Sequence, residues 1–273
     1  MKDIRSKIIL ITGGANGIGR FLARELAERG GRVVAWDLNQ EALRTLEDEG
    51  RERGLFIKGR VCDITDREAV YAAAKALTAE LGPVDILVNN AGVVSGSSFL
   101  ETPDEKLIKT MEVNSISHFW TCKAFLPSMI ARNSGHLVTI SSAAAFIGVR
   151  GLADYSASKF ASFGFHESLR MELRSQKSAV KTTVVCPFFI DTGLFQGVKT
   201  KFPWLFPILK SKYVAHRIAL AILKNKKQLL LPWFIYNTHL LRLLPPGGFD
   251  FIVNFLGINH SMDNFIGREK KNG

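Results

Sequence analysis

Two hydrophobic periods alternate along the first two-thirds of this chain. Short, nearly continuous apolar runs at 8–12, 32–36, 55–61, 85–88, 136–141 and 180–185 read as strands buried on both faces. Between them, apolar residues recur at three-to-four spacing over 18–29, 39–53, 67–81, 104–132 and 154–175, which predicts amphipathic helices. Strand-helix alternation with right-handed crossovers leaves one arrangement, a doubly wound parallel sheet with helices on both faces. After Pro187 the pattern changes to an aromatic, Lys-studded loop, a helix near 211–225, a short strand at 229–231 and an irregular tail. The strand at 229–231 brings the sheet to about seven strands in a single α/β domain. Residues 1–196 form its core, and 197–273 an extension of the same domain.

Composition narrows the class. With 273 residues, 47% hydrophobic and 22% charged, the chain is neither disordered nor collagen-like and can bury a full core. Cys62, Cys122 and Cys186 are odd in number and widely spaced, which suits a reducing compartment. No secretion signal opens the sequence, and the most apolar late stretch, 229–244, is interrupted by Pro232, Asn237, His239 and Arg242. The six histidines lack metal-ligand spacing, so no metal is expected. The net charge of +11 is unevenly distributed: residues 197–273 hold 12 Lys or Arg against Asp250, Asp263 and Glu269. The same segment carries 11 of the 27 aromatic residues.

The segment Thr12-Gly13-Gly14-Ala15-Asn16-Gly17-Ile18-Gly19 follows the first strand and opens the first helix, the context of a Rossmann-type dinucleotide loop. Gly13 would make the tight turn, Gly17 would admit a pyrophosphate and Gly19 would let helix and strand approach. Free N–H groups and the positive end of the helix dipole would face the phosphates. Asp37, 18 residues after Gly19 at the end of the second strand, is placed to accept from both adenosine-ribose hydroxyls and to repel a 2′-phosphate. Neither Asn16 nor Leu38 offsets that charge, although Arg20 and Arg60 are near in sequence, so the expected cofactor is NAD.

Tyr155 and Lys159, four apart near the start of a helix, project from one face. A phenol with an ordinary pKa of about 10 is a poor base at neutral pH, and an ammonium with a cationic nicotinamide beside it would lower that value.

Taken together, these residues resemble the short-chain dehydrogenase/reductase family over nearly the whole chain. The matching marks are Thr12-Gly13-x-x-x-Gly17-Ile18-Gly19, Asp63, Asn89-Asn90-Ala91-Gly92, Asn114, Ser142 and Tyr155-x-x-x-Lys159. The resemblance implies hydride transfer between nicotinamide and a carbinol carbon, with Tyr155 exchanging the hydroxyl proton. Ser142, 13 residues before Tyr155, would hydrogen-bond the substrate oxygen in preference to its neighbour Ser141. Lys159 would hold the nicotinamide ribose, and Asn114 a water linking Lys159 to solvent. Asp63 and Ile64 would contact adenine, and Asn90, Ala91 and Gly92 would line the ribose and nicotinamide side. Thr192 would hydrogen-bond the carboxamide, and Ile190 would also contact the cofactor. Where the family commonly has Pro-Gly, this chain has Pro187-Phe188, and Phe188 with Phe189 would form either an apolar wall of the substrate site or ordinary core.

The runs 187–195 and 255–265 are similar to the branch containing epidermal retinal dehydrogenases, retinol dehydrogenases and membrane- or lipid-droplet-bound 17β-hydroxysteroid dehydrogenases. That branch implies a lipophilic alcohol or ketone as substrate, with a small ketone or hydroxyacyl compound as the alternative within the family. A catalytically idle dinucleotide-binding scaffold on membranes is the alternative of another class. The resemblance also implies a homodimer. Many members carry an N-terminal hydrophobic anchor that is not in this sequence. Aromatic residues at 202–209 bracketed by Lys199, Lys201, Lys210 and Lys212 suit an anionic bilayer surface. A cytoplasmic protein lying on a membrane or lipid surface, of the endoplasmic reticulum or a lipid droplet in a eukaryote, is the resulting expectation. Apolar runs interleaved with the basic residues exclude a nucleic-acid partner.

Overall fold

Within strand β1 (Ile8–Thr12), Ile9 and Ile11 turn to one face of the sheet and Ile8 and Leu10 to the other, and each packs into a separate apolar layer. A strand buried on both faces needs no polar alternation, which is why the runs read as continuously hydrophobic. The computed structural model describes residues 3–267. After β1 the chain forms α1 (Gly17–Glu28), β2 (Arg32–Asp37), α2 (Gln40–Glu52), β3 (Ile57–Val61), α3 (Arg67–Leu81) and β4 (Ile86–Asn89). Next come α4 (Asp104–Met111), α5 (Ser117–Ala131), β5 (His136–Ile140), α6 (Ala153–Ser175) and β6 (Lys181–Pro187). The last elements are α7 (Ser211–Leu223), β7 (Gln228–Leu231), α8 (Thr238–Leu241) and α9 (Pro246–Phe255).

Seven strands, all parallel, form one sheet in the order β3-β2-β1-β4-β5-β6-β7. Leu22, Leu43 and Ile218 from α1, α2 and α7 cover one face; Val70, Phe125 and Leu173 from α3, α5 and α6 cover the other. The chain winds outward from β1 to β3 and then returns to β4, so a crevice opens between the C-terminal ends of β1 and β4. Local chemistry sets the helix starts: Asn39 accepts from Ala42 N ahead of α2, and Asp66 accepts from Glu68 N and Ala69 N ahead of α3.

Two features depart from the sequence pattern. The single helix expected at 104–132 is divided by a π-helical segment, Glu112–Ile116, which contains Asn114. The tail after β7 is also more ordered than its pattern indicated. It forms a 3-10 turn at Trp233–Asn237, then α8 and α9, and these pack through Ile235 and Val253 against Val184 and Cys186 of β6. The tail therefore builds on the edge of the main core. Residues 268–273, including Arg268, Glu269, Lys270 and Lys271 of the basic segment, lie outside the described residues. All three cysteines are free and buried.

Candidate active site

The glycine loop is locked from below. Thr12 Oγ1 accepts from Asn90 N and Ala91 N at 3.0 and 3.2 Å, and Asn90 Nδ2 donates to the carbonyls of Thr12 and Gly13 at 2.9 and 3.0 Å. These bonds join the C-terminal ends of β1 and β4 and hold the crevice floor. Gly17 has φ +52°, and a Cβ there would point at Thr192, 3.5 Å away across the crevice. A Cβ on Gly19 would lie 2.1 Å from the Gly13 carbonyl oxygen. Asn16, the residue before α1, makes no side-chain cap, so the first N–H groups of the helix face the crevice without a side-chain acceptor.

The crevice has a volume of about 380 Å³, and Gly13, Asn16, Gly17 and Ile18 form one part of its lining. Asp37, Leu38, Asp63 and Ile64 line a second part, and Asn90, Ala91 and Gly92 a third. Ser142, Tyr155, Lys159, Ile190 and Thr192 complete the site. Of the residues expected there, only Gly19 and Asn114 stand behind the wall. Asp37 accepts from Ala15 N and Asn39 N, both at 3.1 Å, which fixes its carboxylate beside the loop. The two nearby arginines are engaged elsewhere: Arg20 pairs with Glu49, and Arg60 with Glu80 at 3.1 Å. Uncapped helix N–H donors, a glycine whose Cβ would intrude and a fixed strand-end carboxylate together fit a nicotinamide dinucleotide.

A second cavity, of about 410 Å³, adjoins the first. Its wall is almost wholly apolar, including Ile147, Val149, Leu152, Phe189, Phe206 and Phe234. Ser142, Tyr155, Phe188 and Phe195 belong to both cavities, so the hydroxyls stand where the two spaces meet. Phe188 and Phe189 line the second cavity while also packing in the core, ring to ring at 4.8 Å. Phe195 meets the Tyr155 ring edge-on at 5.5 Å. No motif marks Phe195, and only its place in an aromatic run signalled it.

Within this junction the polar atoms are sorted by hydrogen bonding. Ser142 Oγ accepts from Ala144 N at 3.1 Å and interacts with the Tyr155 phenol in the sense that favours the phenolate, with both residues lining both cavities. Ser141 instead donates to the Lys159 carbonyl at 3.0 Å and accepts from Ser162, so its hydroxyl is spent on the helix. Lys159 Nζ donates to the Ile140 carbonyl at 3.1 Å and stands 5.5 Å from the Tyr155 ring centroid. Burial pushes the Tyr155 phenol up to about 12 and the Lys159 ammonium down to about 8. The lysine therefore stays cationic at neutral pH, but by itself it does not bring the phenol below its ordinary value. The Asn114 side chain is anchored by three hydrogen bonds. Its Oδ1 accepts from Val93 N, and its Nδ2 donates to Val93 O and Ser158 Oγ, all at 2.9 Å. These bonds pin the strand-β4 loop to α6.

The comparisons agree with this geometry. Residues 7–202 match the short chain dehydrogenase family. Epidermal retinol dehydrogenase 2 of Homo sapiens is 46% identical over 273 residues, covering 99% of this chain and 88% of that protein. Among solved structures, a short chain dehydrogenase/reductase from Burkholderia phymatum in complex with NAD superposes with a TM-score of 0.81 at 25% identity, covering 89% of this chain and 95% of that one. A metagenomic short-chain oxidoreductase in complex with NADP gives 0.70 at 28% identity, covering 84% and 96%. The chain belongs to the short-chain dehydrogenase/reductase family and is an oxidoreductase of the alcohol-dehydrogenase type that uses a nicotinamide dinucleotide. Relatives named retinol dehydrogenases also include retinol dehydrogenase 10-B of Danio rerio, 37% identical over 296 residues, covering 99% of this chain and 88% of that protein.

Proposed function

We propose that the protein is an NAD-dependent dehydrogenase of long, apolar alcohols of the retinol type. The observation that carries this reading is the junction of the two cavities, where Ser142 and Tyr155 stand at one end of a chamber whose remaining wall is apolar except for Asn237 and Thr238. A chamber of about 410 Å³ falls within the range of about 300–1,000 Å³ usual for small-molecule sites. An alcohol entering hydroxyl-first would leave its hydrocarbon among aromatic rings and bring its oxygen to Ser142 and Tyr155.

Bound in the crevice, the nicotinamide dinucleotide supplies the hydride acceptor or donor and, in its oxidised form, a positive ring. Tyr155 Oη exchanges a proton with the substrate oxygen, and the Ser142 O–H donates to that oxygen as charge gathers on it. Lys159 holds the nicotinamide ribose and supplies positive charge beside the phenol. Asp37 accepts from the adenosine-ribose hydroxyls, the glycine loop and α1 N–H groups hold the pyrophosphate, and Asp63 and Ile64 border the adenine. Ile190 and Thr192 border the carboxamide. Asn114 acts through its bonds to Val93 and Ser158 as a positioning residue.

Preference for NAD rests on Asp37 and on the engagement of Arg20 and Arg60 in ion pairs away from it. The double substitution Asp37→Ser, Leu38→Arg is expected to lower kcat/KM for NAD by about 10–100-fold, equivalent to one charge-assisted hydrogen bond. It should raise kcat/KM for NADP. Initial rates with both dinucleotides check this; an unchanged ratio removes Asp37 from cofactor choice.

No helix among the described residues is long and apolar enough to cross a membrane. A peripheral position on a lipid surface is supported by exposed Trp204, Trp233, Leu240, Leu243 and Phe251 beside the second cavity. A homodimer through α5 and α6 is supported by exposed Phe119, Phe160 and Met171 on those helices. Light scattering distinguishes one chain mass from two.

The test of function is NADH formation with all-trans-retinol, estradiol and a short secondary alcohol, each with NAD and with NADP. Turnover of retinol with NAD supports the reading. Turnover of the short alcohol alone would reassign the apolar chamber to another ligand.

A further inference from the structure

Helix α9 separates two cavities of opposite character. Ile252 and Leu256, four residues apart, face the apolar chamber next to the catalytic hydroxyls. Phe251 and Phe255, the adjoining stripe, face a third, open cavity of about 550 Å³. That third cavity is lined on its other sides by Lys199, Thr200, Lys201, Asn254 and His260, with no acidic side chain. Lys201 Nζ donates to the Phe255 carbonyl at 3.0 Å and stands 5.3 Å from the rings of both Phe202 and Phe255. One ammonium is therefore pre-positioned at the cavity rim with N–H groups to spare. Lys199 is exposed and makes no ion pair among the described residues. Of the carboxylates near it, Asp263 is taken up by Arg150 and by His260 Nδ1, and Asp250, exposed on α9, is not part of the cavity's lining.

Around these cations the surface is aromatic. Phe251, 72% exposed, and Phe255, 59% exposed, lie nearly parallel with centroids 6.5 Å apart, and Trp204 nearby in sequence is 81% exposed. Exposed rings of this size are unfavourable in water unless something apolar covers them. Exposed cations set beside exposed rings match one surface chemistry, a phosphate-bearing headgroup whose acyl chains continue past the rings.

We propose that this pocket binds the headgroup of an anionic phospholipid and so seats α9, the wall of the substrate chamber, on the bilayer. The proposal rests on the peripheral-membrane reading above and adds to it a discrete site, with Lys199 and Lys201 as headgroup ligands and Phe251 and Phe255 as the apolar flank. A lipophilic alcohol leaving the bilayer would then meet the chamber across a single helix.

The experiment is flotation of the full chain with phosphatidylcholine vesicles, with and without phosphatidylserine, and it uses no turnover. Its outcome is therefore independent of whether retinol proves to be the substrate. Wild-type protein is expected to partition more strongly onto the phosphatidylserine vesicles. The pair Lys199→Gln, Lys201→Gln should lower that partitioning by about tenfold or more, at about 1 kcal/mol for each charge near the surface. Binding to neutral vesicles should be unchanged, and thermal unfolding shows that the variant is folded. Lys224→Gln, Lys227→Gln removes the same charge at the start of β7, the opposite end of the sheet, and should leave flotation as in wild type. An equal loss in both pairs reduces the effect to diffuse charge and overturns the site. So does a wild type indifferent to phosphatidylserine, or one that binds inorganic phosphate in the pocket without preferring anionic vesicles.

Discussion

Substituting Tyr155 by phenylalanine is expected to lower kcat by about 10²–10⁴-fold, the usual range for loss of a positioned general acid or base. NADH binding, followed by its fluorescence, should be retained. The ring packs against Phe195, and phenylalanine keeps that contact while removing only the hydroxyl. In the wild type, burial holds the phenol protonated to about 12, so the neutral, donating form prevails at physiological pH. Reduction of a carbonyl uses that form directly. Oxidation of an alcohol needs the phenolate, which is promoted by positive charge from Lys159 and an oxidised nicotinamide. Oxidation should accordingly rise with pH while reduction falls. The residual rate of the phenylalanine variant should lose this dependence. A variant that keeps wild-type turnover and pH profile would remove Tyr155 from proton transfer and shift attention to Ser142.

Gly19→Ala should be the most damaging single-methyl addition in the crevice. Its Cβ would lie 2.1 Å from Gly13 O and 2.7 Å from Asn90 Nδ2, the amide that ties β4 to the loop. The first is backbone of the turn and the second is fixed by its bonds to the Thr12 and Gly13 carbonyls, so relief requires moving the turn itself. A cost of about 3 kcal/mol in stability is expected, at the upper end for overpacking. Dinucleotide affinity should fall with it. Gly17→Ala provides the contrast, because its Cβ meets only Thr192 at 3.5 Å and its strain comes from φ +52°. There the stability cost should be about 1–2 kcal/mol, with the larger effect on binding. Chemical denaturation and NADH titration of the two variants separate these cases; equal stability would show that the loop yields more readily than its hydrogen bonds indicate.

Both predictions concern residues that could be named before any coordinates, and the reason is local. A turn with positive φ demands glycine, an uncapped helix start presents N–H donors, and Tyr155 and Lys159 share a helix face by their spacing of four. The strands were legible for a related reason, since a sheet covered on both faces requires uninterrupted apolar runs such as Ile8–Thr12. Elsewhere the local pattern was insufficient. Nothing in 104–132 marks where helical bonding shifts to the π form at Glu112–Ile116, because that shift depends on Asn114 reaching Val93 and Ser158. Helix α9 follows Pro245, begins Pro246-Gly247-Gly248 and is apolar on more than one side, so no single periodicity announces it.

What the sequence by itself determined is the doubly wound sheet, the dinucleotide loop and the shared helix face of Tyr155 and Lys159, because each follows from contacts within a strand, a turn or one helix face. The tertiary structure decided that Ser142 stands where both cavities meet while Ser141 bonds the Lys159 carbonyl, that Asn114 bonds Val93 and Ser158, and that Phe188, Phe195 and α9 enclose one apolar chamber. Those outcomes depend on side chains brought together from 142–155, 188–206 and 234–258, whose distances are set by packing across the sheet edge rather than by spacing along the chain.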